Sequence, residues 1–342
     1  MSKLKDVAEL SGVSLGTVDR IIHNRGRFSE DTAKRVKDAM KKLSYKPDIR
    51  ARNLSLSRKC HICVIMPYIE LNSRYWSLPH EGMTKALKEL SASHVTADFF
   101  YFDETKTNIF RSTLKAIKPN IYDAFISAPL ITSEFDIFYK NIFKDKPVIF
   151  FDSDIPDSPR SSYVGQKSIE AGNVAAKLMN QMTTDRIKKI LIITTDSRNT
   201  HLIERIDGFI QKSLNPVKII ELPADNKEAK KILKHISPDF QNEFCGIYVT
   251  YSSCNLAVEL IDKLKTKIPL IGFDLVPQNV EYLRNGIIDY ILTQRPIDQG
   301  YQSIMTLYRS TILGHKIPSE QLMPIDIIAK ENLESHLRIR QS

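Results

Sequence analysis

The chain has 342 residues, of which 42% are apolar and 26% charged, a composition typical of folded globular proteins and unlike that of disordered or fibrous chains. No stretch reaches the roughly 18 consecutive apolar residues that a membrane helix needs, and the first residues lack the apolar segment of a secretory signal. The four cysteines, Cys60, Cys63, Cys245 and Cys254, are too few for a disulfide framework in a chain of this length. We therefore expect a cytoplasmic protein of two or three domains that does not associate with membranes.

The excess of positive charge is concentrated at one end of the chain. Residues 1–59 hold fifteen basic and seven acidic side chains, whereas the other 283 residues hold 34 basic and 33 acidic ones. A small basic head on a nearly neutral body is typical of proteins that bind nucleic acid, because neutralising phosphates releases counterions. The alternative is a basic terminus that only aids solubility.

Three short helices are predicted in the head, over residues 1–45. Apolar residues at helical spacing predict the first helix over residues 4–11, and Gly12 begins a tight turn. Ser14 is placed to cap the second helix, and Ser29 to cap a third that closes the core. Two helices joined by a short turn containing glycine predict a helix-turn-helix, in which the second helix reads DNA.

From residue 60 onward, short β-branched or aromatic runs alternate with longer amphipathic stretches, the pattern of parallel α/β sheets covered by helices. The runs predict nine strands, over residues 62–67, 96–102, 124–128, 148–152, 190–194, 217–222, 246–250, 269–273 and 290–293. The longer stretches predict helices over residues 81–90, 169–182, 202–213, 256–264 and 299–313. Nine strands exceed one ordinary domain, so we expect two doubly wound lobes with a ligand site in the cleft between them.

Two motifs that can signal chemistry do not fit their surroundings. The segment from Gly12 to Gly16 satisfies the G-x-S-x-G pattern, but a nucleophile elbow follows a buried strand and here a helix precedes it. Cys60 and Cys63 form a C-x-x-C motif, yet on a strand their side chains point to opposite faces, so a packing role is favoured. No phosphate-binding, dinucleotide-binding or zinc-protease motif occurs. We therefore expect no enzyme, no cofactor and no bound metal.

The head carries a series of short motifs, namely Asp6-Val7-Ala8, Gly12-Val13-Ser14, Thr17-Val18 and Arg20 followed by Asn24. They resemble the N-terminal signature of the lac-repressor family of bacterial regulators. By this resemblance, Leu15, Gly16 and Arg20 stand where the family reads base edges. Thr17 and Asn24 stand where it holds phosphates. Arg20 is the strongest candidate, because a guanidinium can bond both acceptors of a guanine.

The match continues beyond the third helix, through Tyr45, Pro47, Ala51, Arg52 and Leu54. These residues resemble the family's hinge, expected here over residues 46–59, which becomes helical when two protomers meet on the operator. The resemblance implies that Arg52 and Leu54 contact DNA, with Leu54 as the apolar wedge that enters the minor groove. Asp19 departs from the small hydroxyl residue expected at its position, and we interpret it as a residue that orients its neighbours.

Polar and aromatic residues recur after the predicted strands of the body, namely Asn72, Tyr75, Trp76, Asp152, Arg205, Asp274 and Gln294. They stand in motifs such as Gly272-Phe273-Asp274 that resemble the sugar-binding periplasmic proteins of the ribose-binding type. The resemblance covers residues 60–330 and implies a periplasmic-binding-protein-like type I fold with these seven residues in its pocket. Carboxylates accept bonds from neighbouring hydroxyls, Arg and Gln fork across a polyol, and Trp stacks on a sugar ring. The alternative interpretation is that the aspartates cap helices and the aromatic side chains fill cores.

Two departures from the sugar-binding pattern bear on the ligand. Ser153 stands where sugar binders carry an Arg, and residues 252–255 replace an expected Asn-Asp pair. A ligand that is bulkier, less polar or differently charged than a free pentose or hexose is consistent with both.

The resemblance as a whole implies a homodimeric repressor on a near-palindromic DNA operator, released by a small-molecule effector, a sugar or sugar derivative. The effector domain is expected over residues 60–342, with one lobe of about 60–161 and 293–322 and another of about 162–292 and 323–342. Alternatives are an activator, a regulator that needs a co-repressor, or a solute-binding protein without a role in transcription.

Overall fold

In the computed structural model the chain divides into two compact units, Met1–Arg58 and Lys59–Ser342, each with its own apolar core. The structure describes residues 4–22, 28–43, 45, 59–70, 72–103, 105–131, 143, 145–155, 157–195, 199–223, 225–236, 240–265 and 267–341. Over these ranges, none of the helices combines the length and the hydrophobicity that crossing a bilayer requires.

The first unit is a bundle of short helices, α1 (Leu4–Ser11), α2 (Leu15–Ile22) and α3 (Glu30–Lys42). Gly12 turns the chain between α1 and α2 with a φ of 66°, a conformation that costs little for glycine alone. The hydroxyl oxygens of Ser14 and Ser29 accept bonds from the backbone N–H of Thr17 and Thr32, each at 3.2 Å, so both predicted caps are confirmed. The apolar faces of the helices share a buried core of Val7, Ala8, Val18, Ile21, Val36 and Ala39.

The first lobe of the second unit is built on a parallel sheet with the strand order β2-β1-β3-β4-β5-β11. Its strands are β1 (Cys60–Pro67), β2 (Val95–Phe102), β3 (Ala124–Ser127), β4 (Val148–Phe151), β5 (Ser162–Gly165) and β11 (Glu320–Leu322). Its helices are α4 (Ser77–Glu89), α5 (Thr107–Ala116) and α12 (Pro296–Thr311).

The second lobe repeats this plan with the strand order β7-β6-β8-β9-β10-β12, in which β12 runs antiparallel to β10. Its strands are β6 (Lys189–Thr194), β7 (Val217–Glu221), β8 (Phe244–Val249), β9 (Leu270–Phe273), β10 (Tyr290–Thr293) and β12 (Asp326–Ile328). Its helices are α6 (Ser168–Met182), α7 (Thr200–Lys212), α8 (Asn226–Ile236), α9 (Phe240–Glu243), α10 (Asn255–Leu264), α11 (Pro277–Arg284) and α13 (Lys330–Gln341).

The inner strands read as continuous apolar runs because helices cover both faces of each parallel sheet. Strand β1 shows this directly, since Cys60 packs into the core on one face of the sheet and Cys63 into the core on the other. Both side chains are fully buried free thiols. The predicted packing role of the C-x-x-C motif is therefore confirmed.

All nine predicted strands form, with ends within two residues of those expected. The short strands β5, β11 and β12 were not predicted, because their sequences, SYVG, EQL and DII, lack the continuous apolar run by which the other short strands were recognised. The lobe boundary expected at about residue 161 needs correction. Strand β5 pairs with β4, so the chain leaves the first lobe after Gly165.

Candidate functional site

A cavity of about 750 Å³ lies between the two lobes of the second unit, at the carboxyl ends of strands from both sheets. Six of the seven predicted pocket residues line it, namely Tyr75, Trp76, Asp152, Arg205, Asp274 and Gln294. The seventh, Asn72, begins a short 3₁₀ turn after β1, and its side chain lies outside the described residues.

Two aspartates stand at equivalent points of the two lobes. Asp152 follows β4 and Asp274 follows β9, and their side chains are only 3% and 1% exposed. Both have positive φ, 65° and 59°, a conformation that non-glycine residues adopt where the surrounding structure holds them. The Gln294 side-chain amide donates to Asp152 Oδ1 at 3.2 Å and to Asp274 Oδ2 at 3.3 Å.

Tyr75 and Trp76 form the aromatic side of the cavity. The buried Tyr75 hydroxyl donates a hydrogen bond to Asp152 and accepts one from Gln294 Nε2 at 2.8 Å. The Trp76 ring meets Tyr75 and Phe151 edge to face, with centroid distances of 5.0 and 6.2 Å. Trp76 thus belongs both to the apolar core of the first lobe and to the cavity wall.

Arg205 brings the positive charge of the site from helix α7. Its guanidinium stacks 3.8 Å from the centroid of Phe273, and Nη1 donates to the carbonyl of Thr250 at 2.8 Å. Nε and Nη2 are buried and have no hydrogen-bond partner among the described residues. Helix α7 reaches this position because it packs tightly on α6, where a Cβ at Gly172 would lie 2.1 Å from the Arg205 carbonyl.

Burial is the largest cause of the pKa shifts of Asp152, Asp274 and His201 in the cavity. It raises the pKa of Asp274 to about 6, against the opposing charge of Arg205 and with help from the charge of Asp152. Burial also raises the pKa of Asp152, although the hydrogen bond from Tyr75 acts the other way. The pKa of His201 lies well below its usual value, because burial and then the Arg205 charge disfavour protonation.

Side-chain hydrogen bonds other than those of Gln294 also join the lobes across the cleft. Ser153, which follows Asp152, shares a bond of 2.7 Å with His201 Nδ1 on α7 of the second lobe. Ser73 shares a bond of 2.9 Å with Ser252. The lobes therefore stand close together around the cavity, and the serine that replaces the expected Arg takes part in their contact.

The cavity also contains residues that sequence reasoning missed. Asn199 precedes α7 and Asn255 begins α10, and the Oδ1 atom of each is buried without a partner among the described residues. The available signal was their position, since polar residues between a strand and the next helix lie at the edge of the sheet that faces the cleft. Asn255 belongs to the segment that replaces the expected Asn-Asp pair.

In the head, the predicted DNA-binding residues fall on α2 or beyond it. Leu15 is 48% exposed, Gly16 is exposed and Thr17 is half-buried. Arg20 lies on α2, but its side chain is outside the described residues. Asn24, Arg52 and Leu54 lie outside them altogether, as does the predicted hinge up to residue 58.

A helix-turn-helix head followed by a two-lobed domain with a polar cleft defines the class of DNA-binding regulators that respond to a small molecule. Comparison with known families agrees for both units. Residues 3–48 match the profile of bacterial regulatory proteins of the lacI family, and residues 62–314 match the periplasmic binding protein domain. The chain therefore combines a helix-turn-helix head of the lacI family with an effector unit that belongs to the periplasmic binding protein domain family.

Individual relatives agree with this assignment. The sucrose operon repressor of Lactococcus lactis is 28% identical over 96% of this chain and 98% of its own length. The sucrose operon repressor of Streptococcus mutans is 26% identical over 97% of this chain and 100% of its own length. A Bacteroides fragilis structure described as a LacI transcriptional regulator superposes with a TM-score of 0.73 at 25% identity, over 81% of this chain and 99% of that one. The glucose-galactose binding protein GanP of Geobacillus stearothermophilus superposes with a TM-score of 0.69 at 23% identity, over 81% of this chain and 99% of that one. This likeness shows the shared fold.

Proposed function

We propose that this regulator binds operator DNA through its head and that a sugar or sugar derivative, bound between the lobes of its effector domain, controls that binding. The observation that carries the proposal is the convergence of buried polar groups on one cavity. Asp152, Arg205 and Asp274 come from both lobes, and Gln294 bridges the two carboxylates.

Such a set of groups suits a polyhydroxyl ligand. Carboxylates accept bonds from adjacent hydroxyls, and the buried Nε and Nη2 atoms of Arg205 supply donors that the described part of the chain does not satisfy. The aromatic ring of Trp76 at the cavity wall suits the apolar face of a sugar ring. The names of the sucrose operon repressors support the same ligand class.

The control of DNA binding follows from the position of the site. A ligand that contacts both lobes stabilises one arrangement of the lobes over others, and it shifts the equilibrium only by its differential affinity for them. In a homodimer in the cytoplasm, this shift changes the spacing of two heads on a near-palindromic operator, with a coupling of about 1–3 kcal/mol. We propose that the effector releases the DNA.

The proposed DNA contacts divide by chemistry. Leu15, Gly16 and Arg20 read base edges from α2, and Thr17 and Asn24 hold phosphates. The exposure of Leu15, an apolar side chain outside the core of the head, supports a contact with a thymine methyl group. Arg52 and Leu54 contact the minor groove at the centre of the operator.

Selection of binding sites from randomised duplex DNA tests the proposal, using the full chain at near-physiological salt. We expect one near-palindrome with a flexible pyrimidine–purine step at its centre. Arg20→Ala is expected to reduce the discrimination between bases at one symmetric pair of operator positions by about 1–3 kcal/mol and to leave sugar binding intact. Recovery of the palindrome only after addition of cell metabolites would indicate a co-repressor, and equal binding of all sequences would contradict the proposal.

A further inference from the structure

The cavity is longer than the group of residues around Asp274. It continues along the carboxyl edge of the second-lobe sheet to a second group that lies beyond β6, formed by Glu221, Leu222, Pro223, Asn226 and Lys230. We call this second group the outer subsite. Glu221 ends β7, the outermost strand of the sheet, and Asn226 begins α8.

The distance between the two ends of the cavity follows from the strand order. Asp274 follows β9 and Glu221 ends β7, and the strands β8 and β6 lie between them. Neighbouring strands are about 4.8 Å apart, so these ends are separated by roughly 14 Å. A six-membered ring with bonds of about 1.5 Å spans roughly 6 Å between its outer oxygens. One sugar ring therefore fills only part of this cavity of about 750 Å³.

Residues that carry unsatisfied buried polar atoms line the stretch between the two ends. Asn199 follows β6 and Asn255 follows β8, and each presents a buried acceptor without a partner among the described residues. Arg205, on α7, adds the unpartnered donors Nε and Nη2. Buried polar atoms are normally hydrogen-bonded, so this row of donors and acceptors calls for ligand groups along the sheet edge as well as at Asp274.

The charges of the lining disfavour an anionic ligand. Carboxylates line the cavity both around Asp274 and in the outer subsite. Among the described lining residues, Arg205 and Lys230 supply positive charge. Lys230 is already paired with Glu259, at 2.8 Å. A phosphate group beside Asp274 would face two carboxylates against the single guanidinium of Arg205, and in the outer subsite it would face Glu221 beside a lysine that is already paired. Like charges at short range repel.

We propose that the effector is an uncharged sugar of two linked rings. One ring lies among Asp152, Arg205 and Asp274, and the second lies on the outer subsite, where Leu222 and Pro223 offer apolar contact and Asn226 offers hydrogen bonds. This inference rests on the proposed function, because it specifies the ligand of the same cleft.

Calorimetric titration of the full chain with a panel of sugars tests the size and charge of the effector. The panel contains neutral hexoses and pentoses, their α- and β-linked disaccharides, and hexose phosphates. We expect one disaccharide to bind at least tenfold more tightly than either of its component sugars and than every phosphate. A monosaccharide or a sugar phosphate as the tightest ligand would overturn the inference while leaving the proposed function intact. A panel in which nothing binds would overturn both.

A pair of adjacent substitutions tests the position of the second ring. Asn226→Trp places a bulky ring in the outer subsite and is expected to lower disaccharide affinity at least tenfold more than monosaccharide affinity. Lys227→Trp adds the same ring at the next position, which is exposed and does not line the cavity, and should alter neither affinity. If Asn226→Trp lowers the affinities for disaccharide and monosaccharide equally, or lowers neither, the second ring lies elsewhere and the proposed outer subsite is overturned.

Discussion

Asp152 and Asp274 are structural counterparts in the two lobes, and the amide of Gln294 bonds to both. Each follows the strand that is third from the same end of its sheet, and each has a positive φ. Gln294 Nε2 lies 3.2 Å from one carboxylate and 3.3 Å from the other. Because the carboxylates come from different lobes, a ligand that binds both must respond to how the lobes are arranged, which is what an effector site requires.

The first prediction concerns the free energy of unfolding, which the buried carboxylate of Asp274 lowers. Since the pKa of Asp274 is raised from 3.8 to about 6, the folded state resists its ionisation more than the unfolded state does. Stability is therefore lost as pH rises from about 4 to about 6, and the loss stays constant above that. Asp274→Asn should stabilise the protein by about 1–3 kcal/mol at pH 7.5. The variant should also lose its response to effector.

Thermal unfolding of the full chain at pH 7.5 and pH 4.5 measures this effect. The gain from Asp274→Asn should shrink at the lower pH, because the wild-type carboxyl is then largely protonated in the folded protein. Asp207→Asn is the matched control, since Asp207 lies on α7 but is exposed, and it should change stability by less than about 0.5 kcal/mol. A wild-type protein more stable than Asp274→Asn at pH 7.5 would contradict the prediction.

The second prediction is a pH dependence of effector binding. The ionised carboxylate of Asp274 accepts ligand hydroxyls on all its lone pairs, whereas the protonated form gives up part of that capacity. With a pKa of about 6 in the free protein, affinity should be constant above pH 7 and fall below pH 6, by at most about tenfold per pH unit. Calorimetric titrations from pH 5 to 8 measure it, and a flat profile over that range would refute the role of Asp274.

Much of the cleft could be predicted from the sequence, because its residues follow strands. Asp152 and Asp274 each come directly after a buried apolar run, and the carboxyl ends of parallel strands converge on the cleft of a doubly wound domain. Local pattern therefore places these aspartates at the cleft. The same reasoning applies to Asn199 and Asn255, which stand between strands and helices and were overlooked.

Features that depend on contacts between distant segments could not be predicted. Strand β11 joins the first sheet beside β5, from which it is more than 150 residues distant in sequence, and its pairing leaves no periodic signal of its own. The bond between Ser153 and His201 joins two lobes and depends on how closely they approach. The sequence showed only that Ser153 departs from the sugar-binding pattern.

The third prediction concerns this bond between the lobes. Ser153→Ala removes the partner of His201 Nδ1 and leaves a half-buried ring nitrogen unsatisfied, which costs about 1 kcal/mol in the arrangement with the lobes close together. Effector affinity should fall about fivefold, through faster release of the ligand. Stopped-flow kinetics measures the release rate. Ser91→Ala, an exposed serine of the same lobe, is the control, and an affinity of Ser153→Ala within twofold of wild type would rule out a role for the bond.

The fourth prediction separates the stability of the head from that of the effector domain. The head has a small core, so one helix cap is a large share of its stability. Ser29→Ala removes the bond to the Thr32 N–H and should destabilise α3 by about 1 kcal/mol. Hydrogen exchange of α3 amides should accelerate about fivefold, with weaker DNA binding, while effector affinity stays the same. Lys37→Ala on the exposed side of α3 is the control, and unchanged exchange in Ser29→Ala would show that the cap contributes nothing.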